Sequence, residues 1–255
     1  DATNTRFQAR PGLAAKDVPK LKVKWAFAFQ GDVRTVSQPT VMGGRVFVSS
    51  WGGKVYSLDA ATGCTYWLYD AQSIARTAIQ IVKDPQTNRY VAFFGSHPWA
   101  HAVDAETGKV LWKVRVDDHK EGRVTGAPMY YNGRVIVPVA SGEEVASSAP
   151  KYECCTFRGS LVSLDAKTGK QIWKTYTVPD LAKPYKKTAD GTQLWGPAGA
   201  GIWSAPTIDE KRKRIYVGTG NSYTGIDVPT SDAILAFDLE TGSLLWSAQV
   251  TPKDN

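Results

Sequence analysis

Four copies of one pattern, a short apolar strand followed by Asp-x-x-Thr-Gly-x-x-x-Trp, dominate this chain. They end at Trp67, Trp112, Trp173 and Trp246, so the repeat advances in steps of 45, 61 and 73 residues. The alternating apolar residues predict a half-buried strand, and Asp with Thr-Gly predicts a tight turn into the next strand. One small sheet cannot bury both its faces alone, so such a repeat predicts blades packed around an axis. We therefore predict an all-β fold, a β-propeller.

The turn residues divide the chain into four blades of the W type and one orphan strand. We predict an extended lead-in at 1–20 and a partial propeller at 21–255, with blades at about 36–70, 74–116, 124–178 and 202–250. The orphan strand is 21–29, where Trp25 takes the place of the repeat tryptophan. In a closed ring the orphan strand would complete a last blade that lacks its outer strand, but blade four has its own outer strand at 244–250, so we expect about half of an eight-bladed ring, cut after blade four. Its two bare blade faces favour pairing with a second half-propeller or a homodimer.

Charge and hydropathy exclude some classes of function and leave others open. The net charge of +7 predicts attraction to an acidic electron acceptor or an anionic ligand, although scattered Lys and Arg also fit a basic, solvated surface. No basic stripe interleaved with aromatic residues occurs, so we expect no nucleic-acid partner. No apolar run approaches the roughly 18 residues of a membrane span.

The three cysteines are Cys64, Cys154 and Cys155. The sequence has no Cys-x-x-Cys or Cys-x-x-Cys-His, hence neither a haem attachment motif nor a zinc ribbon. A Cys154–Cys155 disulfide is favoured over Cys64–Cys154, which would join positions two blades apart, although adjacent Cα atoms are only about 3.8 Å apart. The histidines lack a carboxylate or nucleophile context and favour no metal site. Insertions at 141–158, 179–200 and 221–231 are the loops where function is expected, unless they only cap the blades.

Longer segments resemble one family. The repeat resembles the tryptophan-docking motif of the pyrroloquinoline quinone (PQQ) dehydrogenases. Four segments are similar to the polyvinyl-alcohol dehydrogenase group of that superfamily: 4–7 (NTRF), 21–27 (LKVKWAF), 154–160 (CCTFRGS) and 193–197 (QLWGP). The similarity extends over nearly the whole chain. It implies the N-terminal half of a periplasmic or secreted alcohol dehydrogenase that uses PQQ and calcium and passes electrons to a separate cytochrome c.

The resemblance also implies roles for particular residues. Trp203 matches the tryptophan that stacks on the quinone, and Glu144 with Asn221 matches two calcium ligands, which suits a cation that prefers oxygen donors. The other implied quinone contacts are Thr125, Ser141, Gly142, Glu143 and Arg76.

This sequence departs from the family pattern in three places. The segment 75–80 (ARTAIQ) has no vicinal cysteines, and 36–39 (VSQP) has no glutamate for the quinone. The aspartate that acts as the catalytic base would fall beyond Asn255, so we assign no catalytic residue here. These departures keep a second hypothesis open, a non-catalytic propeller that serves as a protein-interaction scaffold.

Overall fold

The structure, a computed structural model, describes residues 3–5 and 7–253. Four antiparallel sheets follow one another, each with its four main strands in chain order. The first contains β1 (Thr40–Met42), β2 (Arg45–Ser49), β3 (Lys54–Asp59) and β4 (Thr65–Asp70). The second contains β5 (Gln80–Lys83), β6 (Tyr90–Ser96), β7 (Trp99–Asp104) and β8 (Val110–Arg115). We call the four sheets blades one to four.

The third blade carries an extra short strand. It contains β9 (Gly122–Arg123), β10 (Met129–Tyr131), β11 (Arg134–Ser141), β12 (Ser160–Asp165) and β13 (Gln171–Tyr176), with β9 paired to the end of β11. A separate hairpin follows, β14 (Lys183–Lys187) and β15 (Gln193–Gly196). The fourth blade contains β16 (Thr207–Asp209), β17 (Arg214–Gly218), β18 (Ala233–Asp238) and β19 (Leu244–Gln249). The predicted all-β class is confirmed.

The repeat motif joins each blade to the next. In blade two, a carboxylate oxygen of Asp104 accepts hydrogen bonds from the Thr107 backbone N–H (2.9 Å) and hydroxyl (2.8 Å). Gly108 has a φ of +73°, and a Cβ there would lie 2.8 Å from the indole of Trp67. The Trp67 indole N–H donates to the carbonyl of Ala105 (3.0 Å). The tryptophan of blade one therefore rests on the turn of blade two, where only glycine leaves room.

The same contact recurs along the chain. The indole N–H groups of Trp25 and Trp112 donate to the carbonyls of Ala60 (3.2 Å) and Ala166 (2.9 Å). Trp173 also lies on its glycine, Gly242, but its indole N–H has no hydrogen-bond partner. Buried apolar clusters fill the space between successive blades, and β-branched and aromatic residues dominate them.

The N-terminal region differs from the prediction. No strand of the described residues pairs with 21–29, so the orphan strand is absent; this segment packs on blade one through Trp25 and through Phe27, whose ring centroid is 5.2 Å from that of Tyr56. A strand needs a neighbour for its backbone hydrogen bonds. The contacts described between this segment and blade one are instead made by its side chains. The lead-in contains a 3-10 helix at Ala15–Lys20 where an extended chain was expected.

The turns within each blade define two rims. The repeat turns lie beside the first hairpin turns of the blades, as in the hydrogen bonds from Ala60 N–H to the Gly44 carbonyl (2.8 Å) and from Leu239 N–H to the Lys213 carbonyl (3.0 Å). The insertions 141–158, 179–200 and 221–231 follow the opposite strand ends, and we call that end the loop rim. A four-residue helix, α1 (Glu143–Ala146), lies there. Neither helix within 3–5 and 7–253 has the length and apolarity to cross a bilayer.

Candidate active site

An irregular segment, residues 198–203, lies between blades three and four and is held from both sides. On one side Ile202 N–H donates to the Val139 carbonyl of β11 (3.1 Å). On the other side Ala200 N–H donates to the Asn221 carbonyl (2.9 Å), and Gly220 N–H donates to the Gly201 carbonyl (2.9 Å). These non-local bonds satisfy a backbone that has no regular structure of its own. They also place Trp203 beside residues 220–221.

Trp203 is fixed at its edge and accessible on its surface. Its indole nitrogen lies where a Cβ on Gly220 would be only 2.7 Å away, and its carbonyl accepts a hydrogen bond from the Thr125 hydroxyl (3.2 Å). The residue remains 37% exposed, whereas Trp67 in the blade interface is 8% exposed. A large ring held in this way suits stacking against a flat ligand.

Glu144 and Asn221 meet across the loop rim. The Asn221 amide nitrogen lies 3.4 Å from Oε1 of the exposed Glu144 and 3.2 Å from the Ser222 carbonyl. A half-turn of the amide would exchange its nitrogen and oxygen and place two oxygens side by side. Calcium takes about six to eight oxygen ligands, so this pair fits part of a calcium shell. Within 3–5 and 7–253 no group of three or more His, Cys, Asp or Glu accompanies the pair.

Ser141 ends β11, and Gly142 follows it directly before α1. The Ser141 hydroxyl accepts a hydrogen bond from Glu143 N–H (3.2 Å) and lies 3.4 Å from the Tyr223 hydroxyl. At Gly142 a Cβ would lie 1.8 Å from the guanidinium of Arg123, so only glycine admits this close approach. Burial is the main cause that raises the pKa of Tyr223 to about 12, so this hydroxyl is protonated at neutral pH.

Glu143, one of the expected quinone contacts, is buried. It is 1% exposed, and both carboxylate oxygens accept hydrogen bonds from the loop that follows α1. Burial alone would raise the pKa of Glu143, but the hydrogen bond from His119 and the N–H groups of Phe157 and Thr156 outweigh it and lower that pKa. The two adjacent glutamates thus differ: the Glu143 carboxylate accepts hydrogen bonds inside the protein, and Glu144 faces Asn221.

Arg76 lies near Trp51 and His97. Its guanidinium carbon is 5.8 Å from the ring centre of Trp51, and in the described part of the chain no hydrogen bond or ion pair joins it to the other predicted residues. Burial is the main cause that lowers the pKa of His97 to about 4. The positive charges of Arg123 and Arg76 lower it further in the same direction. His97 Nε2 is buried without a hydrogen-bond partner. Arg123, Arg76 and the neutral His97 therefore lie near one another.

Sequence reasoning missed Arg123, Tyr223 and His97. The sequence around His97 has no metal-binding context, and a contact with an anion needs no such context. Tyr223 follows Asn221 by two positions and could have been noticed from that spacing. No sequence signal marks Arg123, because its contact with Gly142 depends on the pairing of β9 with β11.

The structure pairs Cys154 with Cys155 and leaves Cys64 free and exposed, so the favoured disulfide is present and the Cys64–Cys154 alternative is not. The disulfide lies in the 141–158 insertion. Cys155 N–H donates to the Trp195 carbonyl (3.1 Å) and Trp195 N–H donates to the Cys154 carbonyl (2.6 Å), which joins the disulfide to the hairpin β14–β15.

The chain matches known proteins over its whole length. The PQQ family profile, described as glucose/ethanol/alcohol dehydrogenase, beta-propeller domain, matches residues 1–255. Tryptophan-docked blades and this match define a propeller of the quinoprotein type. The chain belongs to the PQQ beta-propeller family.

Two curated relatives are polyvinylalcohol dehydrogenases. The protein from Pseudomonas sp. is 48% identical over 99% of this chain and 40% of its own length. The protein from Sphingopyxis sp. is 46% identical over 99% of this chain and 39% of its own length. The chain thus spans about 40% of the length of these two curated relatives. The crystal structure of quinohemoprotein alcohol dehydrogenase from Comamonas testosteroni superimposes with a TM-score of 0.77 at 24% identity, covering 100% of this chain and 41% of that one, which supports the fold.

Proposed function

We propose that the full-length protein oxidises an alcohol with PQQ and calcium, as a polyvinyl-alcohol dehydrogenase-like enzyme. One observation carries the proposal: Trp203, Thr125, Glu144 and Asn221 come together on the loop rim. Membership of the PQQ family and the names of the 46–48% identical relatives support it.

The residues present fit a flat, anionic quinone. Trp203 would stack on its ring, and the Thr125 hydroxyl, bonded to the Trp203 carbonyl, would border the same space. Arg76 and Arg123 would face its carboxylates, since guanidinium groups bind carboxylates bidentately. When bound, the quinone supplies the two-electron acceptor that alcohol oxidation requires.

Glu144 and Asn221 would supply two of the oxygen ligands of calcium. A carboxylate and an amide oxygen are normal members of such a shell. Bound there, the cation would act as a Lewis acid beside the ligand that Trp203 holds. We place the catalytic base outside residues 1–255, because the resemblance assigns that role to an aspartate of a later blade.

We further propose that this chain is about half of an eight-bladed ring. Trp246 is 39% exposed, whereas Trp67 and Trp112, which rest on the following turn, are 8% and 7% exposed. A further repeat turn would cover this face of blade four, and a second half-propeller or a second copy of the chain is the other way to cover it.

The proposal extends to compartment and electron transfer. We place the protein in the periplasm or outside the cell, where a disulfide such as Cys154–Cys155 persists. Cytochrome c is the proposed electron acceptor, as the resemblance to the polyvinyl-alcohol dehydrogenase group implies.

A quinone titration of the full-length protein tests this function. The protein, freed of cofactor, is titrated with PQQ in calcium and in a chelator, and alcohol oxidation is then measured with an artificial dye. We expect saturable micromolar binding that depends on calcium. Trp203→Leu should weaken quinone binding by about tenfold, and Trp203→Phe should weaken it less because a ring remains. Absence of saturable binding and of alcohol oxidation would leave the interaction-scaffold hypothesis instead.

A further inference from the structure

The carboxylate of Glu143 fastens the loop that carries the disulfide. Its two oxygens accept hydrogen bonds from Thr156 N–H (2.9 and 3.0 Å) and from Phe157 N–H (2.7 Å), and Oε1 also accepts from the Tyr152 hydroxyl (3.3 Å). His119 Nε2 lies 3.4 Å from the same oxygen. A buried carboxylate with this many donors is fully satisfied and resists displacement.

The next residue, Glu144, depends on the same short stretch of backbone. Glu143 begins α1, a single turn that is too short to hold itself by helical hydrogen bonds. Gly142 N–H donates to the Glu121 carbonyl (2.9 Å) on one side of the turn, and the Glu143 carboxylate binds 152–157 on the other. Glu143 is the one buried residue of α1, and Val145 is 70% exposed. The turn therefore has no other buried side chain to hold it in place.

We propose that Glu143 is the positioning residue that orients Glu144 toward Asn221 for cation binding, an inference that rests on the proposed function. The loop 152–157 is the fixed counterpart of this anchor, because Cys154 and Cys155 are hydrogen-bonded to Trp195 of β15. Glu143 thus acts on the cation through Glu144 and touches neither the quinone nor the cation itself.

Substitution by glutamine tests this role with little change of shape. In Glu143→Gln one acceptor oxygen becomes an NH₂ group, which then faces backbone N–H donors and cannot accept from them. An unsatisfied buried donor displaces the turn, and Glu144 moves with it. Glu153→Gln is the matched control, since Glu153 is an exposed acid on the same loop. Tyr152→Phe removes only the 3.3 Å hydrogen bond and serves if Glu143→Gln does not fold.

The experiment measures calcium binding to the cofactor-free, full-length protein by calorimetry. Terbium luminescence lifetimes in H₂O and D₂O then count the water molecules on the bound ion. For Glu143→Gln we expect calcium affinity to fall by about tenfold or more, as for other groups that orient a metal ligand, and about one more water on terbium. Tyr152→Phe should lower calcium affinity by a smaller factor, and Glu153→Gln should bind like wild type.

The outcomes separate the two proposals. If wild type binds calcium and both Glu143→Gln and Tyr152→Phe bind it equally well with the same water count, Glu143 has no positioning role and the proposed function stands. If wild type itself binds neither calcium nor terbium, the proposed function fails and this inference fails with it. A loss of affinity without an added water would assign Glu143 to folding alone and would overturn the positioning role.

Discussion

The amide of Asn221 lies 3.4 Å from a carboxylate oxygen of Glu144, although 77 positions separate them. Each follows a strand of a different blade: Glu144 stands in α1 after β11, and Asn221 comes shortly after β17. The loop rim therefore gathers oxygen donors that no local motif contains. This pair gives the first prediction.

Asn221→Asp should couple the thermal stability of the protein to calcium more strongly. A second carboxylate beside Glu144 repels it when no cation is bound, and a cation relieves that repulsion. We expect a lower melting temperature than wild type in chelator and a larger rise on adding calcium, measured by calorimetry on the full-length protein. Asn132→Asp, in the exposed β10–β11 turn, is the control. An equal calcium response in Asn221→Asp and wild type would contradict the cation site.

Gly142→Ala should weaken binding of an anionic quinone with little loss of stability. A methyl group at this position meets the Arg123 guanidinium, which must swing away. The φ of Gly142 is −103°, a value that alanine adopts without strain, so we expect a stability loss of about 1 kcal/mol or less. Quinone affinity should fall by about tenfold through the lost Arg123 contact.

Gly225→Ala is the control for that measurement, because a Cβ at Gly225 meets nothing within 4 Å. Both variants are titrated with quinone in the same buffer, and their unfolding is followed by circular dichroism. If Gly142→Ala binds quinone as Gly225→Ala does, Arg123 does not contribute to the site.

Trp246→Ala should destabilise the full-length protein as much as Trp112→Ala. Trp112 rests on the turn of the following blade and is 7% exposed, and removing such a side chain costs about 3–5 kcal/mol. If a further blade covers Trp246, its removal costs the same. Urea unfolding of both variants measures the difference. A loss below about 1 kcal/mol for Trp246→Ala would mean that no turn docks there.

His101→Gln should flatten the loss of stability in mild acid. His101 is 1% exposed, with Nδ1 3.1 Å from the Tyr69 hydroxyl and Nε2 2.8 Å from the Ser96 hydroxyl. Burial, then the charge of Lys113, lower its pKa from 6.5 to about 3. The unfolded chain therefore binds a proton at His101 more readily than the folded protein does. The contribution of the neutral histidine to stability is complete above pH 6.5 and is lost as the pH falls toward about 3.

Between pH 7 and about pH 4.5, protonation of His101 in the unfolded chain should lower the free energy of unfolding of the wild type by about 2–3 kcal/mol. The glutamine variant should not show this part of the loss. Denaturant unfolding at both pH values measures it. Parallel losses in the two proteins would show that His101 does not titrate in this way.

The sequence by itself determined the blades and their docking. In an Asp-x-x-Thr-Gly turn the side chains of Asp and Thr satisfy the hydrogen bonds of the turn backbone locally. The tryptophan that follows packs on the glycine of the next repeat turn, so the pattern predicts both the strands and the contact between blades. It also named the cysteine pair correctly. The apolar pattern of 21–29 does not specify a neighbouring strand for its backbone hydrogen bonds, and among the described residues this segment forms no strand.

Only the tertiary structure decided what each residue of the loop rim does. Glu143 and Glu144 are identical in type and adjacent, and the sequence could not tell which is buried, because the donors that select Glu143 come from 152–157 and the amide that meets Glu144 comes from another blade. The contact of Arg123 with Gly142 has the same origin in strand pairing. Repeats fix structure through short-range contacts, whereas a site built from insertions depends on long-range contacts that the folded backbone alone creates.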